Sequence, residues 1–147
     1  MNKGFTMVEL LATIIILSGI MLIAIPSYGD IAYSVKVTSL KNKTDAMSAS
    51  MLKFASTYLL DDIKPAAESC SNPLKCCVEY DLYNYVLIHG IYSAEKEKDG
   101  EKIVIDPLTN DKLNGVLRVK YNITTYELEV EFIKDKINNL FVKKCEG

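Results

Sequence analysis

The stretch that decides the fold reads Gly4-Phe5-Thr6-Met7-Val8-Glu9-Leu10, and an apolar run continues from it to Ile25. Glu9 is the one ionisable side chain between Phe5 and Ile25. About 20 consecutive apolar residues are long enough to cross the hydrocarbon core of a bilayer as a helix. We therefore predict that residues 5–25 form a membrane-spanning helix and that the rest of the chain lies outside the membrane.

The residues around this run do not match a secretory signal peptide. Such a peptide has a basic region before the apolar run and a small-residue cleavage site after it. Here the basic region is only Met1-Asn2-Lys3, and the small residue Gly4 lies before the run. A peptidase at the membrane face could therefore cut after Gly4, which would leave residues 1–4 as a leader.

Glu9 needs a partner because a carboxylate near the end of a membrane helix costs about 2–3 kcal/mol. Cleavage after Gly4 would create a cationic amine on Phe5, one helical turn away. Within one helix that amine points along the axis. We therefore expect Glu9 to pair with the Phe5 amine of a neighbouring chain.

These residues, with the aliphatic run and Pro26 that follow, resemble the class III leader and N-terminal helix of type IV pilins and type II secretion pseudopilins. The resemblance ends near residue 30. It implies that a prepilin peptidase cuts after Gly4 and methylates the new N-terminal residue, Phe5. It also implies that Glu9 guides subunit docking and that Pro26, which lacks a backbone N–H, bends or weakens the helix.

Composition argues against a nucleic-acid binder and against an enzyme. Lys and Arg total 17 against 19 for Asp and Glu, a formal net charge of −2, whereas general nucleic-acid binding needs a basic face. The sequence shows no nucleophile–base set, no Gly-rich phosphate loop and no metal-ligand cluster. We therefore predict no catalytic residues, no cofactor and no metal. His89 is expected to be a helix-end residue beside Gly90.

Four cysteines lie C-terminal to the apolar run, at Cys70, Cys76, Cys77 and Cys145. A small domain outside the cytoplasm with an even number of cysteines most often uses them in disulfides. A bond between the adjacent Cys76 and Cys77 is geometrically poor. Two pairings remain: 70–76 with 77–145, or 70–77 with 76–145. Free thiols and zinc are alternatives, although the spacing lacks Cys-x2-Cys pairs.

The segment 26–62 is predicted to be an amphipathic helix that continues from the apolar run and ends at Pro65. Its apolar residues recur at steps of three and four, which places them on one face. We expect this face to pack on a sheet. Its members are Val37, Leu40, Thr44, Met47, Met51, Phe54 and Tyr58.

Residues 63–147 are predicted to form a globular head. Residues 66–73 read as a loop, Glu79–His89 as a short helix and residues 93–101 as a charged surface loop. Alternating polar and apolar residues predict an antiparallel hairpin around residues 123–125, with Arg118 and Lys120 opposite glutamates. The predicted strands are Lys102–Asp106, Val116–Asn122, Tyr126–Ile133 and Ile137–Lys144.

The segment Asp106–Gly115 is rich in Asp, Asn, Pro and Gly, which predicts turns. Its oxygen atoms could also bind Ca²⁺, but their spacing does not match an EF-hand loop. The segment is similar to the Asp-Pro connection after the first strand of many small pilins, some of which bind calcium nearby. Turns are the prediction that we favour.

Together these observations predict an α+β fold in which a long N-terminal helix, half membrane and half amphipathic, packs on a small antiparallel sheet. The resemblance implies a structural filament subunit, anchored by one pass in the cell membrane with its head outside the cytoplasm and later part of a cell-surface pilus. Its partners would be other pilin-like subunits, the prepilin peptidase, a membrane platform protein, an assembly ATPase and the lipid bilayer. A competence pseudopilin for DNA uptake and a type II secretion pseudopilin are alternatives, as are a tethered enzyme and a tethered binding module.

Overall fold

The computed structural model describes the backbone of residues 4–68, 77–136 and 142–144, and the side chains of 4–23, 28–65 and 77–136. The chain divides into two compact units. We call them the N-terminal unit, Met1–Thr38, and the head unit, Ser39–Gly147.

Three consecutive helical segments begin the chain: α1 (Met7–Phe54), a first π-helical turn (Ala55–Leu59) and α2 (Leu60–Glu68). Within the π-helical turn, the hydroxyls of Ser56 and Thr57 both donate to the carbonyl of Lys53 at 2.9 Å, and such bonds often bend a helix. The prediction that the helix ends at Pro65 is wrong, because α2 runs on to Glu68. Proline removes one hydrogen bond, but its fixed φ is itself helical.

The predicted apolar face of the helix is confirmed for the part of α1 that belongs to the head unit. Met47 and Met51 are fully buried, and Leu40 and Phe54 are partly buried against the same cluster. The face ends before Tyr58, which is 71% exposed. A π-helical turn holds one residue more than an α-helical turn, so it rotates later side chains away from the face that the steps of three and four predict.

Within the described ranges, six strands form two antiparallel sheets. A four-stranded sheet has the order β5-β4-β1-β6, and β2 pairs with β3 alone. The fold is therefore α+β with N-terminal helices and a small antiparallel sheet, as predicted. The strands are β1 (Cys77–Asp81), β2 (Lys96–Lys98), β3 (Glu101–Ile103), β4 (Gly115–Asn122), β5 (Glu127–Lys134) and β6 (Val142–Lys144).

The predicted hairpin is confirmed as β4–β5, with Leu117 opposite Phe132 and Arg118 opposite Glu131. Leu117, like the other alternate apolar residues of β4, is buried, whereas the glutamates of β5 are exposed. Arg118 and Lys120 both lie opposite glutamates, as predicted, with Lys120 opposite Glu129. The ion pairs differ from this register: Arg118 donates to Glu79 on β1, and Lys120 lies 3.6 Å from the diagonal Glu131.

Three other predictions need correction. The helix predicted at Glu79–His89 is a strand as far as Asp81, and only a second π-helical turn, Leu82–Val86, follows it. The predicted charged loop at residues 93–101 contains β2, and the strand predicted at Lys102–Asp106 is β3, which ends at Ile103. All five residues of β1 are buried, although Val78 to Asp81 alternate between apolar and polar residues in sequence as a half-exposed strand does.

Candidate functional site

The predicted assembly site lies where α1 begins. The Oε2 atom of Glu9 accepts hydrogen bonds from the backbone N–H and the hydroxyl of Thr6, both at 2.9 Å. The Thr6 hydroxyl oxygen in turn accepts from the Glu9 N–H at 3.4 Å. This reciprocal pair is a capping box, which satisfies N–H groups that the first helical turn leaves without partners.

Thr6 is a residue of this site that the sequence analysis missed, although Thr-x-x-Glu before an apolar run is the usual signature of a capping box. Its bonds all go to Oε2 of Glu9. The other carboxylate oxygen, Oε1, accepts no hydrogen bond from any described residue. Glu9 therefore has an intrachain role at the helix start and still offers one oxygen atom to a further donor.

Gly4 and Phe5 precede this cap in an exposed segment that is neither helix nor strand. The Phe5 side chain is 77% exposed, and a Cβ added to Gly4 would meet no atom within 4 Å. Gly4 does not have the positive φ that favours glycine. Nothing within the described chain therefore requires glycine at residue 4.

Residues 7–23 of α1 are mostly apolar, and their side chains are exposed on every side of the helix. The large apolar side chains of this stretch run from 53% exposure at Leu10 to 83% at Met7. Among the described residues, no single helix is long and apolar enough to cross a membrane. One bent pair, Met7–Ile23 with Tyr28–Pro65, meets the length and composition criteria together, with 43° between its two parts.

Two groups of predicted site residues lie partly outside the described chain. The Pro26 side chain is among residues 24–27, whose side chains the structure does not describe, so its predicted effect on the helix stays a prediction. Cys77, at the start of β1, is disulfide-bonded. Cys70, Cys76 and Cys145 lie outside the described residues, so the pairing also stays a prediction.

Glu79 forms an ion cluster that sequence patterns did not predict. The side chain is 2% exposed, and its Oε1 accepts from Arg118 Nη2 at 2.8 Å and from Lys136 Nζ at 2.6 Å. Burial acts to raise the pKa of this carboxyl, but the hydrogen bonds from Lys136 and Arg118 outweigh it and hold the pKa below its usual range. The cluster joins β1, β4 and the segment after β5.

The loop between β3 and β4 is held by bonds within the protein. Asp106 is buried, pairs with Lys134 at 2.5 Å and accepts from the Leu108 N–H at 2.9 Å. Burial acts to raise the pKa of Asp106, but Lys134 outweighs it and the pKa is lowered. No group of three or more His, Cys, Asp or Glu residues that could hold a metal occurs in the described part of the chain. The turn at residues 107–109 and the hydrogen bond from Leu108 to Asp106 agree with the predicted turns.

His89 lies just after the second π-helical turn, beside Gly90, whose φ of 66° ends that helical segment. Its ring stacks on Tyr85 at 4.1 Å between centroids, and its Nδ1 lies 2.8 Å from the Tyr85 carbonyl oxygen. His89 is exposed, and these contacts are local ones to a residue four positions earlier in the chain.

No family model matches this chain, and neither a curated protein nor a solved structure matches it. The proposals below therefore depend on the residues themselves.

Proposed function

We propose that this chain is a pilin-like structural subunit of a type IV pilus or a related filament. A prepilin peptidase hydrolyses the peptide bond after Gly4 and methylates the new amine of Phe5. The observation that carries the proposal is the arrangement at the start of α1. Gly4 is exposed and unconstrained, and Thr6, two residues later, caps a helix whose first turn holds the only carboxylate of the exposed apolar run, Glu9.

In this proposal, Glu9 has one hydrogen-bond partner before cleavage and gains a second one after it. In the uncut chain, Thr6 holds Glu9 by Oε2, which offsets part of the cost of a carboxylate in a membrane. After cleavage, the Phe5 amine of an adjacent subunit donates to Oε1. A paired carboxylate in an apolar environment is tolerated, whereas an unpaired one is strongly unfavourable. Subunits that dock in the wrong register would leave Glu9 unpaired and would be rejected.

The first experiment is the intact mass and N-terminal sequence of the protein from its native membrane. We expect a chain that starts at methylated Phe5. Gly4→Val should block processing without disturbing the fold, because a side chain at residue 4 meets nothing. Gly19→Val is the matched control, since residue 19 is equally open, and it should be processed normally. A wild-type chain that still starts at Met1 beside an active prepilin peptidase would refute the proposal.

A second experiment separates the capping role of Glu9 from its docking role. Glu9→Gln keeps an oxygen that can accept from Thr6, because glutamine also completes a capping box, but it removes the charge. We expect this variant to insert into the membrane and fail to assemble. Thr6→Ala removes the cap and keeps the charge, and it should still assemble. Normal filaments from Glu9→Gln would show that Glu9 is a helix cap and no more.

A further inference from the structure

The outer edge of β5 has no strand partner among the described residues. β5 lies at one end of the four-stranded sheet, where it pairs with β4 alone. In an edge strand, the backbone N–H and C=O groups that point away from the sheet form an unpaired row. β5 has eight residues, whereas β2, β3 and β6 have three each. It is therefore the longest sheet edge in the part of the chain that the structure describes.

β5 lacks the features by which proteins usually block such an edge, which are a proline, a lysine, a bulge or a charge that points toward the core. Residues 127–133 contain no proline, glycine or lysine. Eight consecutive residue pairs join β5 to β4, so the strand has no bulge. Toward the core it presents Leu128, Val130 and Phe132, which are partly buried. Within the described chain, the edge is thus accessible to a further strand.

The opposite face of β5 carries three exposed glutamates, Glu127, Glu129 and Glu131. Glu131 lies 3.6 Å from Lys120, whereas Glu127 and Glu129 form no ion pair with any described residue. Every second side chain of a strand points to the same face, so an added strand meets this negative row with alternate residues. Lys or Arg is favoured at those positions, and apolar residues are favoured at the positions between them.

The same glutamates disfavour β5 of a second copy as the added strand. If two antiparallel β5 strands centre on Val130, Glu129 of each copy lies opposite Glu131 of the other. If they centre on Glu129 or on Glu131, that residue lies opposite itself. Like charges directly opposite each other are destabilising. The three-residue strands of another copy are too short to cover the eight residues of β5.

We infer that β5 binds an extended segment of a different protein, which adds to the sheet edge as a further strand. The segment carries Lys or Arg at every second residue and apolar side chains between them. In this mode of recognition, backbone hydrogen bonds provide affinity and alternate side chains provide specificity. The inference concerns the head unit alone and does not depend on filament assembly.

Peptide binding to the full-length chain in micelles of an uncharged detergent tests this inference, with empty micelles as the background. The probe is fluorescently labelled Lys-Val-Lys-Val-Lys-Val-Lys, and the control peptide has the same composition in the order Lys-Lys-Lys-Lys-Val-Val-Val. We expect only the alternating peptide to bind to the protein and to slow hydrogen exchange at residues 127–133. Equal binding of the two peptides, or binding without protection of β5, would overturn the inference. So would protection of β5 that rises with chain concentration in the absence of peptide, since it would identify a second copy as the occupant.

A charge reversal on β5 gives a second test. Glu129→Lys turns an attractive cross-strand pair into a repulsive one, so it should weaken binding of the lysine peptide about fivefold. It should also strengthen binding of Glu-Val-Glu-Val-Glu-Val-Glu, a gain that an unfolded variant would not show. Glu97→Lys is the matched control, because Glu97 is exposed on β2, and it should change neither affinity. Equal effects of the two substitutions would show attraction to net charge alone and would refute strand addition at β5.

Discussion

The ion cluster at Glu79 allows a quantitative prediction, because its three members differ in burial. The Glu79 side chain is 2% exposed, whereas those of Arg118 and Lys136 are 26% and 42% exposed. If the anion is removed, both cations can still reach water. If both cations are removed, the carboxylate stays buried without a partner. We therefore expect removal of the cations to destabilise the head unit more than removal of the anion.

The magnitudes follow from the type of group that is left behind. Glu79→Gln replaces charged hydrogen bonds by neutral ones and should lower the free energy of unfolding by about 1.5–3 kcal/mol. The double variant Arg118→Met/Lys136→Met leaves a buried unpaired charge and should lower it by about 3–5 kcal/mol. Adding Glu79→Met to the double variant should restore most of the loss, since an apolar replacement of a whole buried ion cluster is often neutral or stabilising.

Urea unfolding of the full-length chain in detergent micelles would measure these differences. The chain has 9 tyrosines and no tryptophan, so near-ultraviolet circular dichroism of the tyrosines reports on head-unit packing. Lys120→Met is the control, because its ion pair with Glu131 is long, at 3.6 Å, and exposed. Lys120→Met should lower the free energy of unfolding by less than about 1 kcal/mol. The reasoning is refuted if the double variant is no less stable than Glu79→Gln.

Three further predictions concern other contacts. The lowered pKa of Asp106 means that the unfolded chain binds a proton at this carboxyl before the folded chain does as pH falls through about 4. The contribution of Asp106 to stability is fully present above that pH and is lost progressively below it, so acid unfolding curves of Asp106→Asn should show a smaller loss. Thr6→Ala should destabilise the start of α1 by about 1 kcal/mol, whereas Thr6→Ser should not. Hydrogen exchange of the first-turn amides, including that of Glu9, should therefore be faster in Thr6→Ala than in Thr6→Ser. Gly115→Ala should lower the urea midpoint by the equivalent of about 1–3 kcal/mol, because its Cβ would lie 2.3 Å from the Phe132 ring and 2.7 Å from a backbone oxygen; an unchanged midpoint would contradict this.

The sequence by itself determined the elements that have one exposed side. Met47 and Met51 were predicted as core residues, and the β4–β5 hairpin was predicted with its buried and exposed faces correctly assigned. In each case water on one side forces polar and apolar residues to alternate with the period of the helix or strand. The apolar run and its single Glu9 are likewise visible in sequence, since they depend on composition alone.

Only the tertiary structure decided the features that depend on residues far apart in the chain. β1 is buried on both faces, and the burial of Glu79, predicted as part of a short helix, depends on Arg118 and Lys136, which are far from it in the chain. Arg118 turns away from its predicted partners because a buried carboxylate on the neighbouring strand binds it more favourably than exposed glutamates can. Tyr58 leaves the apolar face because a π-helical turn changes the helical phase locally. The spacing of polar and apolar residues shows which residues of one helix or strand share a face. It carries no information about which other helix or strand packs on that face.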